Sequence, residues 1–176
     1  MTGKIIKNPT IFIHGQESSS QGTKALFFRE LFPEMIIPDF VGDVPMRMSK
    51  LHEILRDKQD ILMIGSSLGG LMAALYAFQN PDRIRKLILL APALNLPEFS
   101  PHLSQTLTLP VSIFHGKADE LIPPQLIQAI AEKVFATLTF TLVDDDHRLS
   151  RTFTSIDWPQ LLEGKKEAGS SKESPP

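Results

Sequence analysis

The sequence predicts an α/β protein built on a doubly wound, mainly parallel six-stranded sheet with helices on both faces. Three observations carry that expectation. Short apolar runs alternate with longer segments of helical spacing, the βαβα rhythm of a parallel sheet. Several of those runs are continuously apolar, as strands covered on both faces must be. A glycine-rich link, Gly65-Ser66-Ser67-Leu68-Gly69, joins one apolar run directly to a helical segment.

The expected strands, in chain order, are 10–13 (TIFI), 35–38 (MIIP), 61–64 (ILMI), 86–90 (KLILL), 111–114 (VSIF) and 138–143 (LTFTLV). Helical spacing marks 23–32, 47–56, 68–78 and 124–135. Pro81 and Asp82 open a short helical turn over 81–85, because proline is pre-set for a first helical position and an acid is favourable there. Segment 91–110 contains Pro92, Pro97, Pro101 and Pro110 and reads as a long connection with one helical turn, too short to form a lid domain. A last helix is expected over about 155–162, with Trp158, Leu161 and Leu162 as its packing residues. Residues 164–176, GKKEAGSSKESPP, have almost no apolar side chains to offset ordering entropy, so a disordered tail is expected after a single domain over 1–163.

Composition narrows the function. The chain has 176 residues, enough for one domain that buries roughly two-thirds of its unfolded surface. It is 42% hydrophobic and 22% charged, an ordinary globular balance. No apolar run approaches the roughly 20 residues of a membrane helix. The N-terminal MTGKIIKNPTIFIHG lacks the continuous apolar segment of a secretory signal, which makes a cytoplasmic protein the default. With no cysteine, disulfides, thiolate metal sites and cysteine nucleophiles are excluded. A net charge of −2 without a dense basic run gives no electrostatic reason to expect nucleic-acid binding.

The chemistry is concentrated in three places. Gly65-Ser66-Ser67-Leu68-Gly69 fits the Gly-x-Ser-x-Gly nucleophile elbow, in which the serine sits on a tight strand-to-helix turn. Side chains two residues to either side of the serine would collide with neighbouring backbone, so Gly65 and Gly69 make the turn possible. Only Ser67 has glycine at both offsets, which sets it apart from Ser66. A serine hydroxyl needs a base, and the base an orienting acid. Asp119 lies in a loop beyond 111–114, with its neighbour Glu120 as the alternative acid, and His147 lies in a loop beyond 138–143. Ligands of open α/β sheets bind outside the carboxyl ends of the strands, which puts Ser67, Asp119 and His147 at one rim.

The order Ser, Asp, His is that of α/β-hydrolases. Together with the early His14-Gly15, the Gly-Ser-Ser-x-Gly-Gly elbow and the final Asp-His loop, it makes the chain resemble a small, lidless α/β-hydrolase of the compact bacterial serine esterase kind, over about 10–162. The resemblance implies an oxyanion hole formed by the backbone N–H groups of Gln16 and Leu68. It also implies ester hydrolysis through an acyl-enzyme, with no cofactor and no metal. The substrate would be a small-molecule ester, or a thioester on the same triad. A non-catalytic binding module that keeps the fold is the alternative from another class.

The remaining histidines read more plainly. His14 and His115 precede glycines at strand ends and are assigned to loop packing, while His52 and His102 are assigned to solvated surfaces. Asp144, Asp145 and Asp146 beside His147 raise a metal site as a possibility. No second cluster of ligands accompanies them, and adjacent carboxylates in a turn are usually solvated.

Overall fold

A computed structural model describes residues 8–163; the expected tail at 164–176 lies outside them. The strands are β1 (Thr10–Ile13), β2 (Ile61–Ser66), β3 (Ile84–Leu90), β4 (Leu107–Gly116) and β5 (Phe135–Val143). The helices are α1 (Thr23–Leu31), α2 (Val44–Ile54), α3 (Leu68–Gln79), α4 (Pro124–Val134) and α5 (Trp158–Glu163). All strand pairs are parallel and run in the spatial order β1-β2-β3-β4-β5.

The alternation of side chains along these apolar strands explains why both faces are covered. Ile11, Ile13, Ile61, Met63, Leu87 and Leu89 point to the face packed by α2, α3 and α4. Phe12, Leu62, Ile64, Ile88 and Leu90 point to the opposite face, beneath α1 and α5. On that second face Phe28 is fully buried, and its ring lies 5.0 Å from Phe12, 5.3 Å from Phe153 and 4.7 Å from Trp158. Trp158 also donates its indole N–H to the Phe153 carbonyl at 2.9 Å, which ties the short α5 to the turn that precedes it. Truncating Phe28 to alanine would cost about 3–5 kcal/mol, because this aromatic cluster could not collapse into the space.

Five strands form the sheet among the described residues, where the sequence predicts six. The segment at 35–38 runs beside the free edge of β1 but makes only one bridge, Ile11 to Ile36. Ile36 donates to the Thr10 carbonyl at 2.9 Å and accepts from the Phe12 N–H at 3.0 Å. Pro38 has no N–H with which to extend the ladder, and Pro33 closes off the other side. The chain therefore visits one side of β1 and then returns through α2 to β2 on the other. That reversal creates a crevice at the carboxyl ends of β1 and β2, where α/β sheets bind ligands.

Other boundaries shift for local reasons. Helix α2 begins at Val44 rather than 47, because Asp43 Oδ1 accepts the Met46 N–H at 3.0 Å and Pro45 suits a first turn. Strand β4 extends back to Leu107 and carries Pro110 at a register irregularity, a place where a strand tolerates proline. The 91–110 connection holds one 3₁₀ turn, Pro97–His102, and no lid. The last expected helix divides into a 3₁₀ turn, Phe153–Ser155, followed by α5. Among the described residues, no helix is long and apolar enough to cross a membrane.

Candidate active site

Ser67 follows the last residue of β2 and precedes the first of α3, with φ 55° and ψ −116°. That conformation is strained for a residue with a side chain and is tolerated only where the surroundings enforce it. The enforcing contacts are backbone. The Ser67 N–H donates to the Leu90 carbonyl at 2.9 Å, and its own carbonyl accepts from Gly70 at 2.9 Å and Ala93 at 3.1 Å. A Cβ on Gly65 would sit 2.3 Å from the Gly69 carbonyl oxygen, and one on Gly69 would sit 2.0 Å from that of Ile13. The sheet and helix thus meet too closely at both positions for any other residue, which is the steric role the motif predicts.

Serine at a helix N-cap ordinarily turns its hydroxyl back to the first turn. Ser67 makes no such bond. Its Oγ lies 3.0 Å from His147 Nε2, and His147 Nδ1 lies 2.8 Å from Asp119 Oδ2. Asp119 accepts from the N–H groups of Leu121 at 3.0 Å and Ile122 at 2.8 Å through its other oxygen. The Asp119 side chain is completely buried, whereas that of His147 is 17% exposed. With a carboxylate at Nδ1, the neutral imidazole carries its proton there and presents an acceptor at Nε2 to the serine hydroxyl. Glu120, the rival acid, is exposed. Ser66 ends β2 and pairs with Leu90 in the sheet.

The loop that carries His147 is organised by Asp145, which is 2% exposed. Its Oδ2 accepts from the N–H groups of Arg151 at 2.8 Å and Thr152 at 2.9 Å, and from Thr152 Oγ1 at 3.0 Å. Its Oδ1 accepts the Asp146 N–H at 2.9 Å. Burial alone would push the Asp145 carboxyl up, but the donors from Thr152, Asp146 and Arg151 outweigh it and hold the group below the usual carboxylate range. The middle acid of the Asp144–Asp146 run is therefore a loop organiser, a role that composition could not separate from a solvated turn. Lys24 on α1 adds a tie to this loop by donating to the Arg148 carbonyl.

At the other side of Ser67, His14 is buried and bridges two loops. Its Nδ1 donates to the Gly15 carbonyl at 2.7 Å, and its Nε2 accepts the Phe40 N–H at 2.9 Å. The loop that ends in Gln16 is held in this way against the residues following the Ile36 bridge. An open pocket of about 400 Å³ lies over Ser67, lined among others by Gln16, Asp43, Val44, Leu68, Leu96 and Glu98. A larger groove, about 570 Å³, lies between β4, β5 and α5 and contains none of Ser67, Asp119 and His147. The smaller pocket is the one that Ser67 lines. Neither the Gln16 nor the Leu68 N–H is engaged by another acceptor among the described residues.

The fold has relatives. The family described as alpha/beta hydrolase fold matches residues 15–154. The chain belongs to the α/β-hydrolases. A solved α/β-hydrolase superfamily protein from Xanthomonas campestris pv. campestris is 30% identical with a TM-score of 0.73, over 89% of this chain and 97% of that one. Alpha/beta hydrolase domain-containing protein 10 from mouse is 22% identical with a TM-score of 0.71, over 93% and 92% of the two chains. Est1E from Butyrivibrio proteoclasticus is 19% identical with a TM-score of 0.69, over 89% and 85%. The latter two likenesses speak for the fold alone. No curated protein sequence matches this α/β-hydrolase.

One neighbour of the acid escaped the sequence reading. His115, assigned to loop packing, is fully buried with Nε2 at 3.0 Å from Asp119 Oδ2 and at 3.0 Å from the Ile122 carbonyl oxygen. Its spacing of four residues from Asp119 across a strand end was the available signal. That signal could be read only once the loop 117–122 was seen to fold back over the strand.

Proposed function

We propose that this α/β-hydrolase is a serine hydrolase that cleaves small carboxylic esters through an acyl-enzyme on Ser67. The observation that carries the reading is the continuous hydrogen-bonded line from buried Asp119 through His147 to a hydroxyl that does not cap its own helix.

In the proposed cycle, Ser67 Oγ attacks the ester carbonyl carbon while its proton passes to His147 Nε2, and the carbonyl π electrons move to oxygen. The N–H groups of Gln16 and Leu68 receive that oxyanion, aided by the positive end of α3. Each such donor is worth roughly 10²–10³ in rate in serine hydrolases. Collapse of the intermediate expels the alcohol, which takes the proton from His147, and leaves Ser67 acylated. Water then repeats the sequence: His147 removes its proton, the hydroxide oxygen bonds to the acyl carbon, and Ser67 departs with the proton returned. Asp119 holds the imidazole tautomer and stabilises the imidazolium in both halves. Neither half calls for a cofactor or metal.

The pocket favours esters over phosphate-bearing thioesters. The charged side chains that line it are carboxylates, Asp43 and Glu98, which repel an anionic leaving group. Its open form and limited volume suit short acyl chains, since a long chain would bury little surface. The test is labelling with a fluorophosphonate probe, followed by turnover of p-nitrophenyl esters and acyl-coenzyme A thioesters. Ser67-dependent labelling, with kcat/KM highest for short neutral esters, is expected, and EDTA should leave the rate unchanged. A chain that binds these esters without turnover would be a binding module instead. A rate that rises steadily from acetyl to palmitoyl would refute the shallow pocket.

A further inference from the structure

Resting on the serine-hydrolase reading, we propose that His115 is a positioning residue that holds Asp119 in line with His147 and moderates the charge that Asp119 presents to it. The two residues form a closed hydrogen-bonded unit. His115 Nε2 donates to the Ile122 carbonyl at 3.0 Å, while the Ile122 N–H donates to Asp119 Oδ1 at 2.8 Å. The same His115 nitrogen stands 3.0 Å from Asp119 Oδ2, the oxygen that receives His147 Nδ1 at 2.8 Å. One imidazole therefore fixes the loop that grips one carboxylate oxygen and directs the positive end of its N–H dipole towards the other.

Both neighbours of Nε2 are acceptors, so the ring carries its proton at Nε2. Nδ1 is buried with no partner among the described residues, as suits an unprotonated nitrogen. Burial pushes the His115 pKa down, against the pull of the Ile122 carbonyl and Asp119. A neutral ring is what the site requires, since a second imidazolium beside Asp119 would compete with His147 for the carboxylate charge. The ionisable groups that act on His115 are Asp119, from the loop after β4, and His147, from the loop after β5. β5 itself carries no ionisable side chain, and its Phe140 ring is stacked on His115 at 6.2 Å. Stacking explains a flat buried side chain but not an N–H aimed at the acid loop.

The experiment compares fluorophosphonate labelling rates and ester kcat/KM across pH for wild type, His115→Phe, His115→Gln and Asp119→Ala, with the double variant His115→Phe/Asp119→Ala. His115→Phe keeps the flat ring and removes the donor. We expect kcat to fall roughly tenfold to a hundredfold with little change in KM, the scale of one charge-assisted hydrogen bond. Loss of the N–H leaves Asp119 more strongly negative towards His147, so the acid limb of kcat/KM should move to higher pH. His115→Gln, with an amide N–H at about the Nε2 position, should recover most of the rate. On the Asp119→Ala background the His115→Phe loss should vanish, because a residue that acts through Asp119 has nothing left to position.

An unchanged rate and profile in His115→Phe, or an equal loss with and without Asp119, overturns the assignment and leaves a packing histidine. Imidazole nitrogen NMR of the wild type needs no variant to fold: a His115 proton on Nδ1 alone also overturns it. A wild type that shows no Ser67-dependent labelling overturns the hydrolase reading, and this assignment with it. An active wild type with an indifferent His115 overturns the assignment alone.

Discussion

Ser67 Oγ and His147 Nε2 stand 3.0 Å apart although 80 residues separate them in the chain. Parallel strands bring this about. Every strand ends at the same rim, so the loop after β2 and the loop after β5 open on one side of the sheet, and Asp145 curls the second loop back towards the first. Each contact along that path can be tested by substitution.

Ser67→Ala should abolish covalent labelling by a fluorophosphonate, and peptide mapping of the wild-type adduct should find it on Ser67. Ser66→Ala should label at close to the wild-type rate, because Ser66 is paired to Leu90 as the end of β2 rather than raised on the turn. Loss of labelling in Ser66→Ala with retention in Ser67→Ala would reverse the assignment.

Asp119→Asn should keep the fold and lose about 10⁴ in kcat, by analogy with serine protease triads in which the amide holds the wrong tautomer. Glu120→Gln should change kcat by less than about twofold, since exposed surface substitutions are nearly neutral. Steady-state kinetics on one chromogenic ester decides between the two acids.

Asp145→Asn should cost on the order of 2–3 kcal/mol at neutral pH, as several bonds to a buried charge are weakened. The folded-state pKa of Asp145 is depressed, so its contribution is fully present above the unfolded value of about 3.9 and is lost as pH falls through the folded one. The difference in Tm between wild type and Asp145→Asn should therefore be widest near neutrality and narrow in acid. A difference that is constant down to the acid transition would mean that Asp145 is not charged in the fold.

Gly69→Ala should lose about 3 kcal/mol or more and most activity, because the added Cβ would meet the Ile13 carbonyl oxygen at 2.0 Å, a backbone atom that no rotamer change can move away. Chemical denaturation reads the stability, and fluorophosphonate labelling reads the turn. A fully stable, fully active Gly69→Ala would show that the elbow is looser than this geometry.

Much of the candidate site was legible because the relevant information is local. Gly65 and Gly69 are required by clashes within a single turn, and the elbow pattern records that requirement in adjacent letters. Strand composition is equally local: ILMI in β2 is apolar at every position and TIFI in β1 at all but Thr10, because both faces of these strands are covered. That Ser67, Asp119 and His147, which follow β2, β4 and β5, lie on one side of the sheet then follows from a parallel sheet having one carboxyl rim.

Relationships between distant residues were another matter. The run at 35–38 has strand composition, yet whether it joins the ladder depended on the free edge of β1 and on a proline that cannot donate. Asp119 and Glu120 are adjacent carboxylates with equal claims by type, and the loop buries one and leaves the other in water. His115 looked like a packing residue until the loop after β4 brought Ile122 and Asp119 to the same nitrogen. By itself the sequence determined which faces are buried and where the chain must turn, since steric and hydrophobic demands act between near neighbours. Which polar groups meet was decided only by the tertiary structure, because hydrogen bonds are made or lost within an ångström and that register is set by the packing of the whole sheet.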